Sequence, residues 1–127
     1  MSAPVNRFST RAENYAKYRP SYPAGVIELL ATECRLKQDS VIADVGSGTG
    51  ILAELFLKEG YEVVGVEPNE AMRIFGDELL SSYPGFRSVA GTAEVTSLET
   101  ESVDLITAAQ AFHWFKPEQA KREFQRI

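Results

Sequence analysis

The sequence predicts an α/β domain built on a parallel, doubly wound sheet. Short β-branched runs alternate along the chain with segments of helical periodicity. A glycine-rich turn, Gly46-Ser47-Gly48-Thr49-Gly50, joins the first such run directly to a helix. Because strands that alternate with helices pair in parallel through right-handed crossovers, few topologies remain. We expect helices on both faces of the sheet and a strand order of 3-2-1-4.

The first half of the pattern is a strand, a helix and a second strand. Val41 to Val45 is a β-branched run suited to a buried parallel strand. The helix begins near Gly50, repeats apolar residues with helical period, and ends at Gly60. The second strand covers Tyr61 to Val66.

The second half continues the alternation. Asn69 is suited to cap the next helix, which carries Met72 on its apolar stripe. After a Pro-Gly turn the third strand covers Phe86 to Ala90. The fourth, Val103 to Ala109, has the apolar pattern of a strand buried on both faces, and a last helix covers Glu118 to Ile127.

A helix ahead of the first strand places its apolar residues on one face. We expect Val26, Leu29, Leu30 and Cys34 to share that face, with Cys34 as a packed helix residue. The single cysteine cannot form an intramolecular disulfide, and no group of residues has a metal-ligand spacing.

Length and charge narrow the class of protein. A chain of 127 residues with 44% hydrophobic residues predicts a single globular unit, here divided into a leader, 1–22, and a main α/β domain, 23–127. The formal net charge of -5 argues against nucleic acid as the main partner. No signal peptide or membrane-spanning run is present in the sequence, so we expect a cytoplasmic protein with no membrane partner.

The glycine turn has the chemistry of a small-molecule cradle. Three glycines at alternate positions remove every Cβ that would keep a ligand off the backbone, and the following helix directs N–H groups toward that place. Nicotinamide, flavin and other nucleotide folds use similar turns, and a tight structural turn would also favour glycine.

Glu67 ends the second strand at the spacing where an acidic side chain accepts hydrogen bonds from both ribose hydroxyls. The alternative is an ordinary solvated glutamate before a proline turn. The dinucleotide fingerprint GxGxxG differs from the spacing of Gly46, Gly48 and Gly50, which Ile51 follows. This difference weakens the case for an NAD-dependent oxidoreductase, which stays as the alternative enzyme class.

The whole chain resembles the class I S-adenosylmethionine-dependent methyltransferases, in the small-molecule branch with type-11-like domains. Four segments carry the resemblance in order: Ala43 to Gly50, Gly65 to Met72, Gly91 to Glu94, and Ala109 to Phe115. The leader, with Tyr15, Tyr18-Arg19-Pro20 and Ser21-Tyr22-Pro23, is similar to that of the trans-aconitate methyltransferase-like subgroup. The resemblance implies a Rossmann-like fold, S-adenosyl-L-methionine as cofactor and a small acceptor, with a carboxylate as one candidate.

The resemblance also implies roles for individual residues. Asp44 and the glycine turn would contact the methionine part of the cofactor, Glu67 the ribose, and Pro68 and Met72 the adenine. Thr92 stands where many relatives have Asp. For Met72 the alternative is that it is simply a residue of the hydrophobic core. The implied cofactor-binding residues are Tyr15, Arg19, Asp44, Gly46, Ser47, Gly48, Thr49, Gly50, Glu67, Pro68, Met72, Ala93, Glu94, Gln110 and Ala111.

The leader and the only histidine are the candidates closest to the chemistry. The resemblance implies that the leader folds over the cofactor as a lid, where Tyr15 and Arg19 can meet carboxylate groups; an aromatic patch packed on the domain is the alternative. His113, just past the fourth strand, would orient the acceptor or act as a base, and a structural histidine is equally consistent. The catalytic candidates are therefore His113 and Arg19.

Relatives of this kind continue into a fifth strand beside the fourth, so we expect the chain to be the N-terminal portion of a larger enzyme. An uncovered edge on strand four would favour pairing with a second copy. We expect a homodimer through that edge or through the last helix. Cofactor binding without turnover, by a non-catalytic remnant, is the alternative to an active enzyme.

Overall fold

The computed structural model describes residues 25–108 and 116–127. Within these ranges helices and strands alternate as the sequence predicts. The elements are α1 (Val26–Glu33), β1 (Val41–Val45), α2 (Ile51–Lys58), β2 (Glu62–Val66), α3 (Glu70–Leu79), β3 (Phe86–Val89), β4 (Leu105–Thr107) and α4 (Pro117–Arg126).

The four strands form one parallel sheet in the order β3-β2-β1-β4, which confirms the predicted topology. β1 lies in the middle, with Ile42 opposite Val63 on β2 and opposite Leu105 on β4. Val45 and Val66 are the last paired residues of β1 and β2. The glycine turn and Glu67, which follow these two residues, therefore leave the sheet side by side.

Two hydrophobic clusters cover the two faces of the sheet, as predicted. Alternate residues along each strand point to opposite faces, so Ile42 and Val63 join one cluster while Ala43 and Val64 join the other. The first cluster contains Phe56 of α2, which is fully buried. The second contains Ala93 and Leu98 of the chain after β3, Ala120 of α4 and its C-cap residue Ile127.

The apolar face assigned to α1 is wrong in part. Leu29 is 60% exposed and Cys34 is exposed, whereas Ile27 is buried in the first cluster. The helix has only eight residues and Cys34 is its C-cap, so the helical period no longer applies there. Val26 and Leu30 do pack against the cluster.

Several element boundaries differ from the sequence prediction. β2 begins at Glu62, β3 ends at Val89 and α4 begins at Pro117, each one residue from the expected position. β4 is shorter than expected, and its residues are half-buried rather than buried on both faces. Among the described strands, β4 lies at one edge of the sheet, so its backbone has a strand neighbour on one side only.

The predicted lid, 1–22, lies outside the described residues. In the part of the chain that is described, no helix has the length and hydropathy needed to cross a membrane.

A carboxylate on α4 holds the chain that leads from β3 to β4. Glu123 accepts hydrogen bonds from the backbone N–H and the hydroxyl of Thr96 at 2.8 and 2.6 Å. Arg126 donates to the same carboxylate at 2.7 Å and to the carbonyl of Leu98 at 2.6 Å. The hydrogen bond from Arg126 lowers the pKa of Glu123 to about 2, against an opposing effect of burial and with additional lowering by Thr96.

We predict that Glu123→Gln lowers the free energy of unfolding by about 2 kcal/mol at pH 7, because hydrogen bonds to a charged group are lost. The pKa of Glu123 in the folded protein is below its ordinary value of 4.5. The stability that the ionised carboxylate contributes is therefore fully present above pH 4.5. The contribution is lost as the pH falls toward 2. Urea unfolding at a series of pH values measures it, with the exposed Glu99→Gln as control. A wild type and Glu123→Gln that differ equally at pH 7 and pH 3 would contradict the prediction.

Candidate functional site

The glycine turn between β1 and α2 has the left-handed backbone that glycine favours. The φ angles of Gly46, Gly48 and Gly50 are 72°, 58° and 90°. The N–H of Gly46 donates to the carbonyl of Val66 at 2.7 Å, so the turn begins as a continuation of the β1–β2 pairing. Gly50 is the N-cap residue of α2, and the N–H of Gly50 donates to the carbonyl of Ser47 at 2.9 Å.

Two further glycines allow other elements to approach the turn, and the sequence reasoning did not assign them a role. A Cβ at Gly65 of β2 would lie 2.8 Å from the hydroxyl oxygen of Ser47. A Cβ at Gly76 of α3 would lie 3.5 Å from the carbonyl oxygen of Gly48. A glycine inside a strand or a helix is the available sequence signal for such close approach.

The carboxylate of Glu67 lies between the glycine turn and the start of α3. Its Oε1 accepts the N–H of Gly48 at 2.8 Å, and its Oε2 accepts the N–H of Asn69 at 3.0 Å. Asn69 caps α3 as predicted, since its Oδ1 accepts the N–H of Met72 at 3.0 Å. The predicted ribose acceptor is thus half-buried and held against the glycine turn by backbone donors.

Asp44 is a buried acid beneath the turn. Its side chain is on β1, 3% of the residue is exposed, and its Oδ1 accepts the hydroxyl of Thr107 on β4 at 3.0 Å. Burial raises the pKa of Asp44 to about 7; the hydrogen bond from Thr107 lowers it and the charge of Glu67 raises it further. Thr107 was not predicted, although a polar residue in the apolar run of β4, opposite Asp44, was its signal.

Met72 and Pro68 lie on the α3 side of the turn. The terminal methyl of Met72 would be 3.6 Å from a Cβ at Gly48. Met72 is half-buried and belongs to neither hydrophobic cluster, which argues against the alternative that it is simply a core residue. Pro68 is exposed. The adenine contacts expected of these two residues stay predictions.

Ala93 and Glu94 are engaged with α4. Ala93 is 2% exposed and packs in the second cluster, which leaves it little surface for a ligand. The carboxylate of Glu94 accepts the N–H of Lys116, the N-cap residue of α4, at 2.9 Å. Thr92 accepts the N–H of Val95 at 3.1 Å through its hydroxyl. The predicted adenine-edge contacts of Ala93 and Glu94 stay predictions.

Five of the predicted site residues lie outside the described part of the chain. They comprise the two leader residues and three residues after β4: Tyr15, Arg19, Gln110, Ala111 and His113. The residues that the structure brings together are therefore the glycine turn, Asp44, Glu67 and Met72. A glycine-rich turn beside two carboxyl groups, at the carboxyl ends of parallel strands, occupies the place where open α/β sheets bind their ligands.

Comparison with known proteins identifies the family. A family model described as "Methyltransferase domain", of the type-11 methyltransferases, matches residues 43–127, and the chain belongs to this family. The match begins within β1, includes the glycine turn and extends through α4. It favours a methyltransferase over an NAD-dependent oxidoreductase.

Three relatives illustrate the similarity. The chain is 34% identical to an uncharacterized methyltransferase-like protein of Schizosaccharomyces pombe, over 97% of this chain and 47% of that protein. It is 31% identical to the probable S-adenosylmethionine-dependent methyltransferase CRG1 of Saccharomyces cerevisiae, over 90% of this chain and 39% of that protein. The solved structure of a provisionally assigned S-adenosyl-L-methionine-dependent methyltransferase from Methanococcus maripaludis has the same fold, with a TM-score of 0.79 and 20% identity. The superposition covers 97% of this chain and 58% of that one.

The chain spans about half the length of the curated relatives named here. The sheet with order 3-2-1-4 accordingly corresponds to part of the fold of those relatives. The described site residues all lie within the range 43–127 that the family model matches.

We predict that Gly50→Ala destabilises the protein more than Gly60→Ala. Both glycines have a φ of 90°, where alanine costs about 1–2 kcal/mol. A Cβ at Gly60 meets nothing within 4 Å, whereas one at Gly50 lies 2.6 Å from Cδ1 of Leu80, which is 1% exposed. We expect this overlap to add about 1–3 kcal/mol. Urea unfolding of the two variants measures the difference, and equal losses of stability would contradict the overlap at Gly50.

We predict that Asp44→Asn removes a loss of stability that the wild type shows between about pH 4 and pH 7. The pKa of Asp44 is raised from 3.8 to about 7. Between these values the folded protein holds a proton that the unfolded chain has released, so stability falls as the pH rises. Each pKa unit corresponds to about 1.4 kcal/mol, which makes the expected difference a few kcal/mol.

The amide oxygen that Asp44→Asn introduces can still accept the hydroxyl of Thr107, so the hydrogen bond is retained in this variant. Urea unfolding from pH 4 to pH 8 measures the effect, with the exposed Asp39→Asn as the matched control. Parallel stability curves for the wild type and Asp44→Asn would show that Asp44 ionises normally in the folded protein.

Proposed function

We propose that this chain is the cofactor-binding part of an S-adenosylmethionine-dependent methyltransferase that acts on a small molecule. The observation that carries the proposal is the position of the Glu67 carboxylate, 2.8 Å from the N–H of Gly48. Membership in the methyltransferase-domain family and the name of the yeast relative support S-adenosyl-L-methionine as the cofactor.

The described residues fit this cofactor. Each oxygen of Glu67 accepts one backbone N–H and has further lone pairs with which to accept the two hydroxyls of a ribose. A Cβ at Gly48 would take up space beside the methyl of Met72, where glycine leaves room for a ligand. Asp44, once ionised, is an acceptor for the ammonium group of the methionine part.

When bound, S-adenosylmethionine supplies an electrophilic methyl group on a sulfonium, and displacement at that carbon forms the bond to the acceptor while the carbon–sulfur bond breaks. The task of this chain is to bind and align, because alignment supplies much of the rate of such a displacement. A carboxylate acceptor needs no general base. We therefore propose Arg19 as a group that binds an acceptor carboxylate and His113 as one that orients it.

The acceptor, the assembly and the compartment rest on the sequence alone. A small carboxylate is the first acceptor class to test, because the leader resembles that of the trans-aconitate methyltransferase-like subgroup. A homodimer through the edge of β4 or through α4, a cytoplasmic location and the absence of nucleic acid partners also stay proposals.

We predict that the chain binds S-adenosylhomocysteine, the reaction product, and does not bind NAD. Isothermal titration of the full chain with each ligand tests this. Glu67→Gln should weaken binding on the order of tenfold, because an amide has a single acceptor oxygen for a diol. Glu62→Gln, exposed at the opposite end of β2, is the control and should bind like the wild type.

Absence of S-adenosylhomocysteine binding at millimolar concentration would overturn the proposal. Binding by the wild type and by Glu67→Gln with equal affinity would remove Glu67 from the ribose site. Binding without methyl transfer to any carboxylate tested would favour the non-catalytic alternative.

A further inference from the structure

Glu67 is held by hydrogen bonds at every polar group it has. Its N–H donates to the carbonyl of Val89 on β3 at 3.1 Å, and its carboxylate accepts the N–H groups of Gly48 and Asn69. Its carbonyl accepts Nη1 of Arg73 at 2.8 Å. The last of these contacts is made by a side chain, so it can be altered without changing the backbone.

Arg73 closes the turn between β2 and α3. The same Nη1 also donates to the carbonyl of Pro68 at 3.1 Å, so one guanidinium nitrogen joins two successive carbonyls. The backbone of Arg73 is fixed in α3, where its N–H donates to the carbonyl of Asn69 at 3.0 Å. Helical side chains lean toward the N-terminus of their helix, which directs Arg73 back onto this turn.

These contacts make the direction of the Glu67 side chain depend on Arg73. The carbonyls of Glu67 and Pro68 lie where the chain leaves the sheet and has not yet entered the helix. Without the guanidinium, water would replace it and the peptide planes of the turn could rotate. Rotation would move the Glu67 carboxylate relative to the N–H of Gly48.

We propose that Arg73 is a positioning residue for the adenosine half of the cofactor site: it fixes the turn at Glu67 and Pro68, and thereby the carboxylate that accepts the ribose. Arg73 touches no ligand in this role. The inference rests on the proposed function, since it needs a ligand with a ribose to be bound.

A purely structural role for Arg73 would lower stability without a selective effect on binding. Arg126 offers the matched comparison, because its guanidinium also donates to a backbone carbonyl, that of Leu98, at 2.6 Å. Arg126 holds the chain before β4 rather than the turn at Glu67. Arg126→Gln should therefore lower the unfolding temperature and leave ligand affinity unchanged.

The test is a pair of double-mutant cycles on S-adenosylhomocysteine affinity, measured by isothermal titration of the full chain. Arg73→Gln should weaken binding on the order of tenfold. Together with Glu67→Gln it should weaken binding by clearly less than the product of the two single effects, because both act through one carboxylate. Asp44 lies at the methionine end of the proposed site, so the effects of Arg73→Gln and Asp44→Asn on affinity should multiply.

A second ligand separates the two halves of the site. 5′-Deoxy-5′-methylthioadenosine contains the adenosine part and lacks the amino acid, and Arg73→Gln should weaken its binding by the same factor. Arg73→Lys keeps the charge without the planar fork, so its affinity should lie between those of the wild type and Arg73→Gln. If Arg73→Gln does not fold, the Arg73→Lys variant is used in both cycles.

The outcomes distinguish the inference from the function on which it rests. A wild type that binds neither ligand overturns both. A wild type that binds, with unchanged affinity in the Arg73 variants, overturns the role of Arg73 alone. The same holds if the effects of Arg73→Gln and Glu67→Gln multiply fully, or if Arg126→Gln weakens binding as much as Arg73→Gln does.

Discussion

The site depends on the parallel pairing of β1 with β2. Because Val45 lies opposite Val66, the next backbone donor, that of Gly46, reaches the carbonyl of Val66 at 2.7 Å. The glycine turn therefore begins as the last step of the sheet. A shift of one residue in this register would turn every side chain of β1 to the other face, and Asp44 would no longer lie opposite Thr107.

Two carboxyl groups lie at one edge of the sheet, where the ligand is proposed to bind. The charge of Glu67 adds to burial in raising the pKa of Asp44, while Glu67 itself is stabilised by two backbone N–H groups. The two acids are thus kept in different environments, one dry and one backbone-bonded. An ammonium group would pair with an ionised Asp44, and the hydroxyls of a diol would donate hydrogen bonds to Glu67. These two groups are the ones that the two ends of the proposed cofactor carry.

The topology and the carboxylate at the end of β2 could be predicted because they follow from period, glycine spacing and the direction of parallel strands. The exposed side of α1 could not, because eight residues allow more than one apolar face, and contact with the sheet selected Ile27 over Leu29. Thr107 and Arg73 were missed for a different reason. The polar Thr107 stands out in the apolar run of β4, but its contact with Asp44 depends on a pairing of distant strands. Arg73 acts through backbone carbonyls, which residue types do not show.

The segment after β3, whose adenine contacts stay predictions, packs on the face of the sheet that α4 covers. Its residue Ala93 packs with α4 in the second cluster, and Glu94 accepts the N–H of Lys116 at the start of that helix. Thr96, further along, is held by Glu123 of α4. The shape of this segment is therefore set by α4 rather than by the glycine turn. The turn at Glu67 is fixed separately, by the pairing of β1 with β2 and by Arg73 of α3, so the contacts of α4 determine this segment and leave the position of the Glu67 carboxylate to the other elements.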